Sequence, residues 1–210
     1  MTVGRLINTD EDVAEGAAWL ASACPRMAYA LDQAGPPPLR RRPDGFAQLF
    51  SAIVSQQVSV ASAAAIWERI EAAGFVTPDA VIAAQEDGLR AVGLSRQKIR
   101  YALALADAGI DYDALASCSD EDVVRTLVAV PGIGPWTAEI YAMFSLGRAD
   151  VFAPGDLALQ EAVRHLYDLP DRPNEKDLRA KAVDWSPWRS VAARLLFAYY
   201  RVIKQREGLS

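Results

Sequence analysis

The sequence predicts an all-α fold. Three observations carry this prediction: apolar residues recur at helical spacing through most of the chain, residues that start helices stand before these segments, and almost no segment shows the alternation of a strand. With 210 residues, of which 51% are hydrophobic and 23% charged, the chain is long enough to bury a full core. We therefore expect a globular protein of about ten helices.

The first two helices follow from their starting residues. Thr9 with Asp12 forms a capping-box pattern before "VAEGAAWLASA", and Pro25 suits the first position of a helix through "RMAYALDQAG". The next stretch, "GPPPLRRRPDG" at 35–45, cannot continue a helix because its prolines lack the N–H donor and clash with the preceding turn. This stretch is interpreted as a linker.

The middle of the chain predicts five further helical segments. Two of them run through "FAQLFSAIVSQQ" and "SVASAAAIWERIEAAG". Thr77 then caps a helix in "TPDAVIAAQ", Ser95 caps "RQKIRYALALADAG", and Ser119 with Asp122 repeats the capping-box pattern before "VVRTLVAV".

The C-terminal part continues the helical pattern. Asp156 stands before "LALQEAVRHLYDL", "NEKDLRAKAV" forms another helix, and "SPWRSVAARLLFAYYRVIKQ" closes the chain. Together with the linker, this order predicts one helical domain over residues 45–149 and a second lobe formed by residues 1–44 and 150–210.

Composition narrows the class of protein. No apolar run reaches the roughly 20 residues that span a bilayer, and the N-terminus lacks the basic-then-apolar order of a signal peptide, so we expect a cytoplasmic protein away from membranes. We also expect a monomer. Cys24 and Cys118 match no zinc or iron–sulfur spacing, and the single histidine, His165, falls in an apolar helical pattern that favours a structural role.

The net charge is −5, yet basic residues cluster at 40–42, 96–100 and in the last helix, which keeps a local DNA-facing surface possible.

The most informative segment is "VPGIGPWTAEIYAMF", residues 130–144. Its two glycines permit positive φ and a close approach of the backbone to another molecule, and the turn enters a helix whose N-terminal N–H groups favour an anion. Gly132 and Gly134 are expected to present amides to a phosphate, with the Thr137 hydroxyl as a further donor and Ile133 plugging the turn into the core. By itself the pattern also fits an ordinary helix–helix connection.

The longer string "LVAVPGIGPWTAEIYAMF" resembles the helix-hairpin-helix of base-excision DNA glycosylases. The resemblance implies a turn that holds a DNA phosphate independently of sequence, and a fold of two helical lobes flanking a cleft. It also implies a monovalent cation, Na⁺ or K⁺, held by main-chain carbonyls, which by position are those of Val128, Val130 and Ile133. No other cofactor is expected.

Asp156 is the candidate catalytic residue. On its own, an Asp before a helix is most often an N-cap, but a helix N-terminus also keeps a carboxylate ionised, and an anion stabilises a cationic glycosyl transition state. The resemblance implies the catalytic role, because the essential aspartate of these enzymes follows the hairpin after a loop like "VFAPGD". Asp150, the nearest rival, is interpreted as a turn or surface carboxylate.

Trp136 refines the predicted activity. Members of the superfamily that form a Schiff base and nick the strand carry a lysine at this hairpin position, whereas the lysines here are Lys98, Lys176, Lys181 and Lys204. An amine is indispensable for the imine, so we expect hydrolysis of the glycosidic bond without strand cleavage. An indole face also attracts a cationic, alkylated base.

Two further strings, "FSAIVSQQVSVASA" at 50–63 and "WSPWRSVAARLLF" at 185–197, make the chain similar to the DNA-3-methyladenine glycosylase II (AlkA-like) family. The similarity implies excision of alkylated bases flipped from double-stranded DNA, a base pocket that includes Trp136, Ile140, Leu157 and Phe197, and Gln57 as the residue that fills the gap left by the flipped base.

The sequence departs from this family in several places. The chain is too short for the additional N-terminal β-rich domain of well-known members. Ile140 and Leu157 stand where tyrosines can line the pocket, and Phe197 stands where a second tryptophan is common, so we expect a roomier, less polar pocket that accepts bulkier bases. A non-catalytic helix-hairpin-helix module and a helical interaction scaffold remain as alternatives at this point.

Overall fold

A computed structural model, which describes residues 3–206 and 208, confirms the all-α prediction. In these residues the sole β pairing is an isolated antiparallel bridge between Leu6 and Arg148, and the α-helices number twelve, with one 3-10 helix at Ala182–Trp185. The α-helices are α1 (Asp10–Ala23), α2 (Pro25–Ala34), α3 (Phe46–Ser55), α4 (Val60–Ala72), α5 (Pro78–Ala91), α6 (Arg96–Asp107), α7 (Tyr112–Ala116), α8 (Asp120–Val128), α9 (Pro135–Phe144), α10 (Leu157–Leu166), α11 (Glu175–Lys181) and α12 (Arg189–Arg206).

The predicted N-caps are confirmed. Thr9 forms the full capping box of α1 with Asp12, and the side chains of Thr77, Ser95 and Ser119 each accept a hydrogen bond from the main chain of the first helical turn. Each such cap typically contributes about 1 kcal/mol. The local sequence therefore determines where these helices begin.

The chain divides into two compact units. One unit comprises Arg42–Tyr141, and the other comprises Val3–Arg41 with the described residues from Ala142 onward. The predicted second boundary is residue 149, whereas the division falls inside α9, a continuous helix that shows no change of composition at that point. The outermost residues of the predicted second lobe, 1–2, 207 and 209–210, lie outside the described part.

The core of the unit Arg42–Tyr141 is built around α3, which packs on α4 and α6. Its helical period turns five apolar side chains inward: Phe46, Leu49, Phe50, Ile53 and Val54. The turns before α6 and α9 repeat each other, since Gly93 and Gly132 both adopt positive φ, at 98° and 94°. Ser95 takes the place of Gly134 in the first copy and caps α6.

The core of the other unit is built around α12, which packs on α1, α2, α10 and the 3-10 helix. Trp185 and Trp188 are buried there, and the Arg5 guanidinium lies 4.3 Å from the Trp188 ring centroid. Gly16 of α1 allows this packing, because a Cβ at that position would lie 2.6 Å from the Trp188 ring.

Two elements differ from the prediction. The five-residue helix α7 was not predicted, because it is too short to show a period. The helix predicted to end near Gln85 continues as α5 to Ala91, but Gln85 itself has φ 52° and breaks the helical geometry. In the described part of the chain, none of the helices is long and apolar enough to cross a membrane.

Candidate active site

The turn between α8 and α9 is closed by short main-chain hydrogen bonds. The Val130 N–H donates to the Leu127 carbonyl, and the Ile133 N–H donates to the Val130 carbonyl, each at 3.1 Å. The Ile133 side chain is 3% exposed, as predicted for a residue that plugs the turn into the core. The turn then delivers the chain into α9 at Pro135.

The two glycines of the turn serve different purposes. Gly132 has φ 94°, and a Cβ there would lie 2.4 Å from Cγ of Tyr101, so this position excludes any side chain. Gly134 is exposed, and a Cβ built on it would meet open space among the described residues. Gly132 therefore allows the turn to pack within the protein, whereas Gly134 leaves the N-terminus of α9 open to another molecule.

Side chains on the first turns of α9 point in different directions. Trp136 is 45% exposed, whereas Thr137 is 6% exposed and Ala138 is fully buried. The contact of the Thr137 hydroxyl with a phosphate stays a prediction. Thr137 and Tyr141, four residues apart, lie on the same mostly buried face of α9.

The loop after α3 is tied to the hairpin. Gln57 is exposed with φ 55°, a left-handed conformation that is uncommon for residues other than glycine. The preceding residue, Gln56, donates from Nε2 to the Gly132 carbonyl at 2.9 Å. Lys98 of α6 caps the end of α3 by donating to the Val54 carbonyl at 2.6 Å, and burial lowers the pKa of this ammonium group. Sequence reasoning missed Gln56, because nothing local distinguishes the two adjacent glutamines.

Asp156 caps α10. Its Oδ1 accepts hydrogen bonds from the Ala158 and Leu159 N–H groups at 2.9 Å and 3.2 Å, so the N-cap prediction is confirmed. The two N–H donors hold the carboxylate at the N-terminus of α10, the positive end of the helix dipole. Asp156 is only partly buried, which leaves an anion at the helix N-terminus within reach of solvent.

The hairpin and Asp156 lie in a region of the chain that matches a known family. The family model described as the HhH-GPD superfamily base excision DNA repair protein matches residues 50–187, more than half of the chain. The chain belongs to the HhH-GPD superfamily. The match covers the hairpin, the loop with Gln57, and Asp156.

Relatives of this HhH-GPD chain include DNA-3-methyladenine glycosylase 2 of Escherichia coli, 30% identical over 75% of the chain and 57% of the relative. The crystal structure of a DNA-3-methyladenine glycosidase from Bacillus halodurans matches with a TM-score of 0.83 and 30% identity, over 96% of this chain and 94% of that one. A 3-methyladenine DNA glycosylase from Schizosaccharomyces pombe, solved with abasic DNA, matches with a TM-score of 0.75 and 26% identity over 87% and 95%. The chain spans 56% of the length of a Bacillus subtilis relative.

Asp150, the nearest rival of Asp156 as the catalytic carboxylate of this HhH-GPD chain, forms an ion pair. Its two carboxylate oxygens accept from Nε and Nη2 of Arg189 at 2.8 Å and 3.0 Å, and the Ser186 hydroxyl donates to Oδ2 at 2.8 Å. This ion pair gives Arg189 a structural role. Asp150 lies in a turn, as predicted, and its carboxylate is in addition a partner in this ion pair.

The remaining predicted pocket residues are distributed over both units. Leu157, at the first position of α10, is 62% exposed, and Ile140 of α9 is half-buried. Phe197 of α12 is also half-buried and packs against Phe144, with ring centroids 6.4 Å apart. His165 lies 3.4 Å from Glu161 Oε1 on α10, which fits its expected structural role.

A metal held by acidic, cysteine or histidine side chains is not indicated, since the described residues contain no cluster of three such groups. The predicted carbonyls of Val128, Val130 and Ile133 are chemically suited to a hard monovalent cation. Val128 is the last residue of α8, and Val130 and Ile133 follow it. The last carbonyls of a helix lack intrahelical partners, and the helix dipole there favours positive charge.

Proposed function

We propose that the protein is a monofunctional DNA glycosylase that removes alkylated bases, of the 3-methyladenine type, from double-stranded DNA and leaves an abasic site. The observation that carries the proposal is the Asp156 carboxylate, held by two main-chain N–H groups at the N-terminus of α10. Support comes from the superfamily match and from relatives named as DNA-3-methyladenine glycosylases.

The hairpin binds the DNA backbone in this proposal. Gly134 is exposed and open at the N-terminus of α9, where main-chain N–H groups and the helix dipole attract a phosphate. A phosphate contact of this kind positions the enzyme without reading sequence. A Na⁺ or K⁺ ion on the carbonyls of Val128, Val130 and Ile133 would add positive charge beside that phosphate.

Asp156 acts on the sugar. Breakage of the N-glycosidic bond leaves positive charge on the deoxyribose ring, and a fixed carboxylate lowers the energy of that oxocarbenium-like state. The same carboxylate orients the attacking water and accepts its proton. The bond from C1′ to the base nitrogen breaks with its electron pair leaving on the base, and the water oxygen takes its place on C1′.

The base is bound by apolar and aromatic side chains. Trp136, exposed on α9, offers an indole face that attracts a cationic, ring-alkylated purine by about 0.5–2 kcal/mol. Ile140, Leu157 and Phe197 complete the proposed pocket, and Gln57 fills the space that the flipped base leaves in the duplex. Alkylation also makes the base a better leaving group, so little acid catalysis is needed.

The reaction stops at the abasic site, because the hairpin carries Trp136 where an imine-forming amine would be required. We further propose that the enzyme acts as a monomer in the cytoplasm, on the nucleoid.

The test is release of bases from methylated duplex DNA, measured by chromatography. Asp156→Asn keeps an N-cap side chain of nearly equal strength but removes the charge, so it separates catalysis from capping. We expect the single-turnover rate constant to fall by at least about 100-fold with the melting temperature little changed. Asp111→Asn makes the same change at the N-cap of α7 and is the matched control. Undiminished release by Asp156→Asn would overturn the proposal.

A further inference from the structure

Gln160 is a buried polar residue beside the proposed catalytic carboxylate. It lies on α10, four residues after Asp156, and is 7% exposed. Its Nε2 donates a hydrogen bond to the Pro154 carbonyl at 2.8 Å. The side chain thus reaches back from the helix to the loop that precedes Asp156.

This bond fixes the loop in which Asp156 stands. The Asp156 N–H donates to the Ala153 carbonyl at 3.1 Å, which closes a tight turn around Pro154 and Gly155. Proline has a restricted φ and no N–H. The main chain at Pro154 can therefore be held by a hydrogen bond only through its carbonyl oxygen. Because Pro154 is buried, that carbonyl needs a donor from the protein, and Gln160 supplies one.

Asp156 is consequently held from two directions. Its side chain is anchored on the N-terminus of α10 by the Ala158 and Leu159 N–H groups. The main chain before it is anchored on the same helix through Gln160 and Pro154. Loss of the second anchor would let the loop pivot about the first, and the carboxylate would move relative to a sugar bound beside it.

We infer that Gln160 is a positioning residue, which keeps the Asp156 carboxylate where charge develops on the sugar. The inference rests on the proposed function of Asp156. Electrostatic stabilisation of a transition state depends on preorganised geometry, and a displacement of about 1 Å can reduce a rate by about 100-fold. Because Gln160 is buried and bonds to the loop, its removal should affect the chemical step rather than DNA binding.

The first test uses Gln160→Met, which retains the length and apolar stem of the side chain but lacks the donor. Single-turnover base release is measured over a range of enzyme concentrations on a duplex with one methylated purine. We expect the rate constant at saturating enzyme to fall by about 10- to 100-fold, with the half-saturating enzyme concentration unchanged. Gln205→Met, an exposed position on α12, is the matched control and should behave as the wild type.

The second test uses Gln160→Glu and pH. At neutral pH the introduced carboxylate has no proton to donate to the Pro154 carbonyl, whereas its protonated form restores the donor. Contact with a carbonyl oxygen and burial both raise the pKa of such a group above its ordinary value of about 4.3. We therefore expect the rate of this variant, relative to the wild type in the same buffer, to increase as the pH falls from about 7 to about 5. Melting temperatures measured in each buffer ensure that only folded protein is compared.

The outcomes separate the two proposals. Wild-type rates for Gln160→Met, with Asp156→Asn inactive, would overturn the positioning role and leave the proposed function standing. An increased half-saturating concentration with an unchanged rate constant would also overturn it, because Gln160 would then serve DNA binding. If Gln160→Met does not fold, a pH-independent ratio for Gln160→Glu overturns the inference. Full activity of Asp156→Asn would overturn both.

Discussion

The Arg194 guanidinium donates a hydrogen bond from Nη2 to the Met143 carbonyl at 3.0 Å, in the last turn of α9. Arg194 is 1% exposed and also donates to the Leu39 carbonyl and to the carbonyl and hydroxyl of Ser190. Burial lowers the pKa of this guanidinium to about 10. A buried cation is tolerated here because main-chain carbonyls take the place of a carboxylate partner.

We predict that Arg194→Met destabilises the protein by about 3 kcal/mol, since it removes the hydrogen bonds that the guanidinium donates to the carbonyls of Leu39, Met143 and Ser190. Arg201→Met, at an exposed position of the same helix, should change stability by less than about 0.5 kcal/mol. Urea denaturation of both variants measures the difference. Equal stabilities would contradict the role given to Arg194.

The glycine pair of the hairpin offers a second test. Gly132→Ala should destabilise the protein by about 2 kcal/mol, because the added methyl meets the Tyr101 ring and the positive φ disfavours alanine. Gly134→Ala should leave stability within about 0.5 kcal/mol of the wild type but raise the Kd for an abasic duplex about tenfold, because the methyl occupies the open approach to the α9 N-terminus. Denaturation and fluorescence anisotropy measure the two effects. Unchanged DNA affinity of Gly134→Ala would contradict phosphate binding at the hairpin.

The absence of an amine from the hairpin predicts that no imine forms. Incubation with an abasic duplex and sodium borohydride should therefore yield no covalent protein–DNA adduct, and lesion DNA should remain uncut until hot alkali is added. A known bifunctional glycosylase serves as the positive control for trapping. An adduct with the wild-type protein would show that one of the four lysines or the N-terminal amine forms an imine, and the monofunctional proposal would be wrong.

The roomy-pocket hypothesis is tested at Phe197. Phe197→Trp adds volume where the family often has tryptophan, so the rate on a bulky cyclic adenine adduct should fall about tenfold more than the rate on 3-methyladenine. Phe75→Trp, at a half-buried position between α4 and α5, is the matched control. The ratio of the two single-turnover rates is the measurement, and an unchanged ratio in Phe197→Trp would remove support for the hypothesis.

The acid stability of the protein should depend on Glu161. Arg164 donates hydrogen bonds to this carboxylate at 2.9 Å and 2.6 Å and lowers its pKa in the folded state. Because the folded pKa lies below the unfolded one, the ionised group stabilises the fold above about pH 4, and this contribution is lost as the pH falls through the folded pKa. The difference in unfolding free energy between the wild type and Glu161→Gln should therefore shrink between about pH 6 and about pH 3. Glu68→Gln, at an exposed position of α4, is the matched control.

Much of the fold could be predicted because helix caps are local. Thr9, Thr77, Ser95, Ser119 and Asp156 each bond to N–H groups only two or three residues ahead, so the sequence order already contains both partners. The hairpin was recognisable for the same reason, since its glycines, proline and tryptophan lie within seven positions.

Residues that act across the chain could not be predicted in this way. Gln56 bonds to a carbonyl 76 positions away, and the burial of Thr137 depends on which face of α9 the surrounding helices cover. Even Gln160, only six positions from Pro154, resembles a surface glutamine until the loop folds back over its helix.

The sequence by itself determined the helices, the hairpin, the helix N-terminus at Asp156 and the lack of a hairpin amine, because each of these depends on residues that are neighbours in the chain. Only the tertiary structure decided that Gly132 packs on Tyr101 while Gly134 stays open, that Asp150 pairs with Arg189, and that Gln160 holds the loop before Asp156. These contacts form only when segments that are distant in the chain, or separated by a turn, pack against each other. The local sequence around each residue does not specify which partner it will meet.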